Sequence, residues 1–165
     1  MTSILRTDKI QNTSSVEAIT MHSTGAINFG FQPIISGQIG SSSSFSAVQK
    51  IPFDDFWVQR GITYNSSTRR FTVPITGIYR ITMNPFSRET ASNFRVLIGI
   101  NTDTPNATNH RGMCYKDSTS GHNTLALNSI VSLTANDYIV FYLLEGDMYN
   151  NTSDRFNQFS IEMIG

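Results

Sequence analysis

Residues 61–83 read GITYNSSTRRFTVPITGIYRITM, and this stretch decides the fold. Phe71, Val73 and Ile75 alternate with Thr72, Pro74 and Thr76, and Tyr79, Ile81 and Met83 alternate with Arg80 and Thr82. A repeat of two marks a strand with one buried face, because successive side chains point to opposite sides of a sheet. Pro74 has no N–H to give a ladder and Gly77 tolerates positive φ, so Pro74-Ile75-Thr76-Gly77 is expected to end one strand and turn the chain into the next. Tyr64-Asn65-Ser66-Ser67-Thr68 supplies a polar turn ahead of the first strand. Two strands joined by a corner predict an antiparallel, all-β core.

Downstream the alternation returns in Phe94, Val96, Ile98 and Ile100, in Leu125, Leu127, Val131 and Leu133, in Ile139, Phe141 and Leu143, and in Phe159, Ile161 and Met163. Residues 138–144 differ, because Tyr138, Val140, Tyr142 and Leu144 make the second face apolar too. A strand that is apolar on both sides needs two covers. In a two-sheet sandwich the opposite sheet is one, and a neighbouring subunit is expected to be the other. Tyr64, Tyr79, Tyr138 and Tyr142 are the candidate residues of that contact; the alternative is that these rings cap a monomer core.

Gly61, Tyr64, Phe71, Pro74, Gly77 and Tyr79, in the form G-x-x-Y-x(6)-F-x-x-P-x-x-G-x-Y, resemble the central signature of the globular head of the complement q subcomponent and its tumour-necrosis-factor-like relatives. The likeness continues in order through Phe45-Ser46-Ala47, Pro52-Phe53-Asp54, Ile100-Asn101, Leu133-Thr134-Ala135-Asn136-Asp137-Tyr138-Ile139 and the closing Phe156 to Ser160. Asn136 stands where that pattern has Gly; Asn tolerates positive φ better than most residues, so the turn chemistry is kept. The resemblance covers residues 43–165 and implies a jelly-roll β-sandwich that associates as a threefold homotrimer. It implies no catalytic residues. Some such heads hold calcium, yet no residue here maps onto a ligand position, so no cofactor is assigned.

The chain has 165 residues, 39% of them hydrophobic and 15% charged, with a formal net charge of zero. That length suffices to bury a core without staples. Neutrality argues against a nucleic-acid footprint, which needs clustered Lys and Arg. Cys114 is alone and cannot form an internal disulfide. Residues 1–10 carry no apolar run resembling a signal peptide, and no segment reaches transmembrane length.

Residues 1–29 are expected to form an arm with a short β-hairpin over 16–29, turning at Ser23-Thr24-Gly25. Leu5-Arg6-Thr7-Asp8-Lys9-Ile10-Gln11-Asn12-Thr13-Ser14, followed by that hairpin, is similar to N-terminal segments of virion proteins of tailed bacteriophages, marine and cyanobacterial ones in particular. A hairpin this small needs support, so Ile10, Ile19, Met21, Ile27 and Phe29 are the candidate virion anchor. Residues 30–42, with Pro33, Gly37, Gly40 and the start of a Ser run, read as a linker in which Ile34, Ile35 and Ile39 dock.

No HExxH, GxSxG, Walker or dinucleotide-binding motif is present. His22, His110 and His122 sit in polar, turn-like contexts; His110, Cys114 and His122 are a conceivable zinc set with no usual spacing. Asp54-Asp55, Glu145-Gly146-Asp147 and Asp154 offer oxygen ligands or acid–base pairs, and turn punctuation explains them equally well. These features predict a non-enzymatic structural protein on the outer surface of a phage particle: a trimeric decoration (cement) or short head or tail appendage, held to capsid or tail proteins by its arm. The alternative is the tip of a tail fibre that binds a host receptor or glycan. A glycan-degrading enzyme is a distant third. The arm is too short to be a fibre shaft, which favours the first.

Overall fold

The computed structural model describes residues 9–11, 17–21, 27–29, 32–40, 44–88, 93–117, 121–151 and 155–165. The chain divides into two compact units, Met1–Gln32 and Pro33–Gly165. In the first, β1 (Lys9–Gln11), β2 (Glu17–Met21) and β3 (Ile27–Phe29) pair as an antiparallel meander, with Ile10 opposite Ile19, Ile19 opposite Phe29 and Met21 opposite Ile27. The expected hairpin thus has both its strands, and β1 adds a third. Its Ser23-Thr24-Gly25 turn lies outside the described residues.

The elements described in the second unit are all strands: β4 (Ile34–Gln38), β5 (Phe45–Ser46), β6 (Gln49–Lys50), β7 (Asp55–Arg60), β8 (Thr63–Asn65), β9 (Arg70–Thr72), β10 (Gly77–Asn84), β11 (Phe86–Ser87), β12 (Phe94–Ile100), β13 (Gly112–Lys116), β14 (Asn123–Thr124), β15 (Leu127–Leu133), β16 (Tyr138–Glu145), β17 (Asp147–Met148) and β18 (Gln158–Met163). One sheet runs β15-β10-β18-β4-β7 and the second β13-β12-β16-β9-β8, with β6 also on β16; a small sheet, β14-β11-β17-β5, closes one end. This is the two-sheet jelly roll that the family resemblance implies, built on the antiparallel, all-β core that the alternation predicts.

The core lies between the two large sheets. Tyr79, Ile81 and Met83 of β10 and Phe159 and Ile161 of β18 meet Phe94, Val96 and Ile98 of β12 and Ile139, Phe141 and Leu143 of β16, all of them buried. Phe53 is central, with its ring centroid 4.3 Å from that of Phe159 and 5.5 Å from those of Phe71 and Phe141. These positions are the apolar parity of the sequence.

Two expectations are corrected. Within the expected linker of residues 30–42, the described residues 33–40 belong to the head: β4 lies inside the first large sheet, pairing β18 on one side and β7 on the other, and Ile35 and Ile39 are fully buried. Gly and Ser dominate that segment's composition, but its isoleucines supply core area that outweighs the weak strand propensity around them. Gly77, in turn, opens β10 as ordinary strand and is not among the residues with positive φ. Space explains it, because a Cβ there would lie 2.6 Å from Met163 Cε and 2.7 Å from the Gly165 carbonyl oxygen. Asn136 does take the left-handed conformation, at φ 74°.

Candidate functional site

Of the four tyrosines proposed for subunit contact, Tyr79 belongs to the protomer core. It has no exposed surface, and its hydroxyl donates to the Ile75 carbonyl at 2.7 Å, so the ring closes the corner it follows. Tyr64 is half-buried: its hydroxyl oxygen accepts the Phe53 N–H at 3.0 Å and its ring lies 4.6 Å from Phe71. Burial raises the pKa of both phenols, which marks them as interior groups.

Tyr138 and Tyr142 lie on the second face of β16, and the chain itself covers part of that face. The loop of residues 101–111 folds back beside β12 and β16, so that a Cβ at Gly99 would touch both Val140 Cγ2 at 2.9 Å and Pro105 Cγ at 3.0 Å. Asp103 fastens the loop, receiving Arg70 through both guanidinium branches and Lys50 Nζ at 3.1 Å. The hydrogen bond from Arg70 is the largest cause that lowers the Asp103 pKa from 3.8 to about 2. The Arg70 guanidinium also lies 4.1 Å above the Tyr138 ring. Leu97, Val140 and Tyr142 are buried by this arrangement. The second cover needed by a doubly apolar strand is thus supplied in part within the protomer, where Tyr142 is buried while Tyr138 and Leu144 are half-buried.

Unpartnered apolar area is found elsewhere. On the solvent face of the β15-β10-β18-β4-β7 sheet, Ile130 is 66% exposed, Ile78 45% and Ile164 44%. Trp57, at a bulge opposite Ser36 and Gly37, and Val58 extend the exposed apolar area to the β7 edge. The middle of the face is polar and internally paired: Arg80 meets Glu162 at 2.7 Å and Thr82 shares a 2.8 Å hydrogen bond with Ser160. A second apolar patch, Met113 and Tyr115, lies on β13 at the edge of the other sheet. Sequence reasoning missed these residues by following the core parity alone. Ile78 and Ile130 are the apolar residues out of phase with that parity, and this was the available signal.

The candidate metal residues are dispersed. Cys114 is buried, with its thiol pushed up to about 11 by burial, whereas the exposed His122 ring stacks 5.4 Å from Phe86. His110 Nδ1 contacts its own loop at the Asn106 carbonyl. Among the described residues no three His, Cys, Asp or Glu side chains gather to hold a metal. His22 and Asp154 lie outside those residues. The side chains of Asp54 and Asp55 go to structure, to the Gly40 N–H and to Gln38. The anchor candidates Ile10, Ile19, Met21, Ile27 and Phe29 all fall on the paired strands of the first unit.

The profile of the C1q domain family matches residues 36–161. Among solved structures, the Eiger tumour necrosis factor of S. frugiperda is similar with a TM-score of 0.64 and 11% identity, over 81% of this chain and 93% of that one. Murine APRIL at pH 5.0 is similar with a TM-score of 0.63 and 12% identity, over 81% and 99%. At such identities the shared property is the fold. No curated protein matches the sequence.

Proposed function

We propose that this chain, which belongs to the C1q domain family, is the subunit of a homotrimer displayed on the outer surface of a tailed-bacteriophage particle, as a structural decoration or a short head or tail appendage. The observation that carries the assembly is the exposure of Ile130, Ile78 and Ile164 on one sheet face. A closed threefold ring joins two different patches on each protomer. The head offers two: the β13 edge with Met113 and Tyr115, and the face carrying Ile130, Ile78, Ile164, Trp57 and Val58. The two adjoin where β13 meets β15, with Ser129 Oγ donating to the Arg111 carbonyl at 2.7 Å. Tyr142, buried within the protomer, plays no part in it.

The placement on a virion rests on the likeness of residues 5–25 to the N-terminal segments of phage virion proteins. The arm presents short paired strands carrying Ile10, Ile19, Met21, Ile27 and Phe29, which suit strand addition to a capsid or tail protein. Three arms on one trimer bind with avidity that one arm lacks.

Mass photometry of the full chain is expected to show a species three times the 18.4 kDa protomer. Ile130→Glu should release folded monomers, because the charge lands in the contact and not in the core. A wild-type monomer, or an Ile130→Glu trimer, rules the interface out. Quantitative mass spectrometry of particles that contain the chain then tests the location. Hundreds of copies indicate capsid decoration and a few indicate an appendage, while absence from particles ends the virion reading.

A further inference from the structure

At the end of the sandwich closed by the small sheet, four rings form a cluster that nothing in the core requires. Phe86 lies parallel to Phe156, at 4.2 Å and 6°, and parallel to His122, at 5.4 Å and 7°. Tyr149 leans on both Phe86 and Phe156, at 6.0 and 5.8 Å. Phe86, Tyr149 and Phe156 are half-buried and His122 is exposed, so the stack belongs to the surface.

The rings are held in place by backbone. The Phe86 N–H donates to Asn157 Oδ1 at 2.8 Å and its carbonyl accepts the Tyr149 N–H at 3.0 Å. Asn157 is itself buried, and its Nδ2 donates to the Tyr149 carbonyl and to Asn150 Oδ1. Arg155 and Asn157 flank Phe156 at φ 50° and 59°, in the left-handed region that non-glycine residues seldom occupy. Such strain persists where surrounding bonds over-determine it, and it collects at binding sites.

A shallow cleft opens beside the stack, lined by Phe86 and Phe156 together with Asn84, Gln158, Thr124 and Arg155. A second cleft adjoins it through Asn84 and Gln158 and reaches Trp57. Aromatic faces set among planar amides, a hydroxyl and one guanidinium suit a ligand that is apolar on one side and rich in hydroxyls around its rim. A pyranose ring has that form: its C–H face lies on an aromatic ring while its hydroxyl pairs bond to amide groups.

Position supports the same reading. Met163 N–H donates to the Pro33 carbonyl, so the head begins at the Tyr79–Met163 end of the β10–β18 pair. The Asn84–Gln158 rung is the other end, roughly 17 Å away at 3.3–3.4 Å per residue. Within the head, the ring cluster therefore lies at the pole opposite Pro33.

We infer that this far pole is a saccharide-binding site, in which a hexopyranose unit of a cell-surface oligosaccharide lies against Phe156 and is bonded by Asn84, Gln158 and Arg155. The site is complete within one protomer, so it can fail without the virion assignment failing. The probe is a printed array of bacterial O-antigen, capsular and teichoic oligosaccharides with neutral disaccharides, applied to the full chain. Saturation-transfer NMR then follows on a bound sugar. Phe156→Ala is expected to weaken binding by about ten-fold or more while Phe156→Trp keeps it within about three-fold. Should Phe156→Ala fail to fold, the exposed Asn84→Ala and Arg155→Gln, checked by an unchanged melting temperature, give the same reading. No bound spot, or a bound sugar whose affinity survives Asn84→Ala and either Phe156→Ala or Arg155→Gln unchanged, overturns the site.

Discussion

Gly146 sits at φ 79°, and a Cβ there would come within 2.1 Å of the Asn93 carbonyl oxygen. Gly146→Ala therefore meets both backbone strain and a clash that no side-chain rotation relieves. It should destabilise the head by about 2–4 kcal/mol, and an unchanged urea midpoint would refute the close approach. Gly77→Ala presses on the Gly165 carbonyl and on the flexible end of Met163, so its expected cost is smaller, about 1–2 kcal/mol. Tyr79 separates two contributions. Tyr79→Phe removes only the bond to Ile75 and should cost about 1 kcal/mol, whereas Tyr79→Ala empties a fully buried site and should cost about 3–5 kcal/mol. Equal effects of the two substitutions would show that the ring's packing does not matter.

The element that changes the reading of the molecule is the loop of residues 101–111. It supplies part of the outer cover of β16 that the sequence alone assigns to another subunit, and Asp103 holds it through Arg70 and Lys50. The folded Asp103 pKa, about 2, lies below its ordinary 3.8. Its stabilising contribution is thus fully present above the ordinary value and is lost as pH falls through about 2. Wild type should exceed Asp103→Asn in stability at pH 7, with the gap closing between pH 4 and pH 1.5 in denaturant titrations. A gap independent of pH would remove the carboxylate from the loop's attachment. The turn at residues 133–137 is a second such element. Asn101 Nδ2 donates to Asp137 Oδ1 at 2.7 Å and its Oδ1 accepts the Tyr138 N–H at 2.9 Å, which ties together two motifs 36 residues apart.

At the scale of the whole molecule, β4 decides where the head begins. Deleting residues 1–32 removes the first unit and should leave a folded head; deleting residues 1–42 also strips β4 from between β18 and β7, with Ile35 and Ile39, and should leave the chain insoluble or unfolded. Circular dichroism and melting of the two truncations check this, and equal stability would return residues 33–42 to the role of linker. The sequence by itself determined the fold class and most of the core. Alternating side chains such as Phe94, Val96 and Ile98 fix which face of a strand is buried, and local φ preference placed the left-handed Asn136, since both depend only on neighbours in the chain. The jelly-roll signature of residues 61–79 was legible for the same reason. What covers a face is not local. Whether β16 meets a subunit or a loop, whether Tyr79 points into the core or an interface, and whether Ile34–Gln38 is strand or tether depend on contacts between residues distant in sequence, and only the tertiary structure decided them. The far-pole rings were equally out of reach. Phe86, His122, Tyr149 and Phe156 come from separate segments, and no spacing in the sequence announces that they stack.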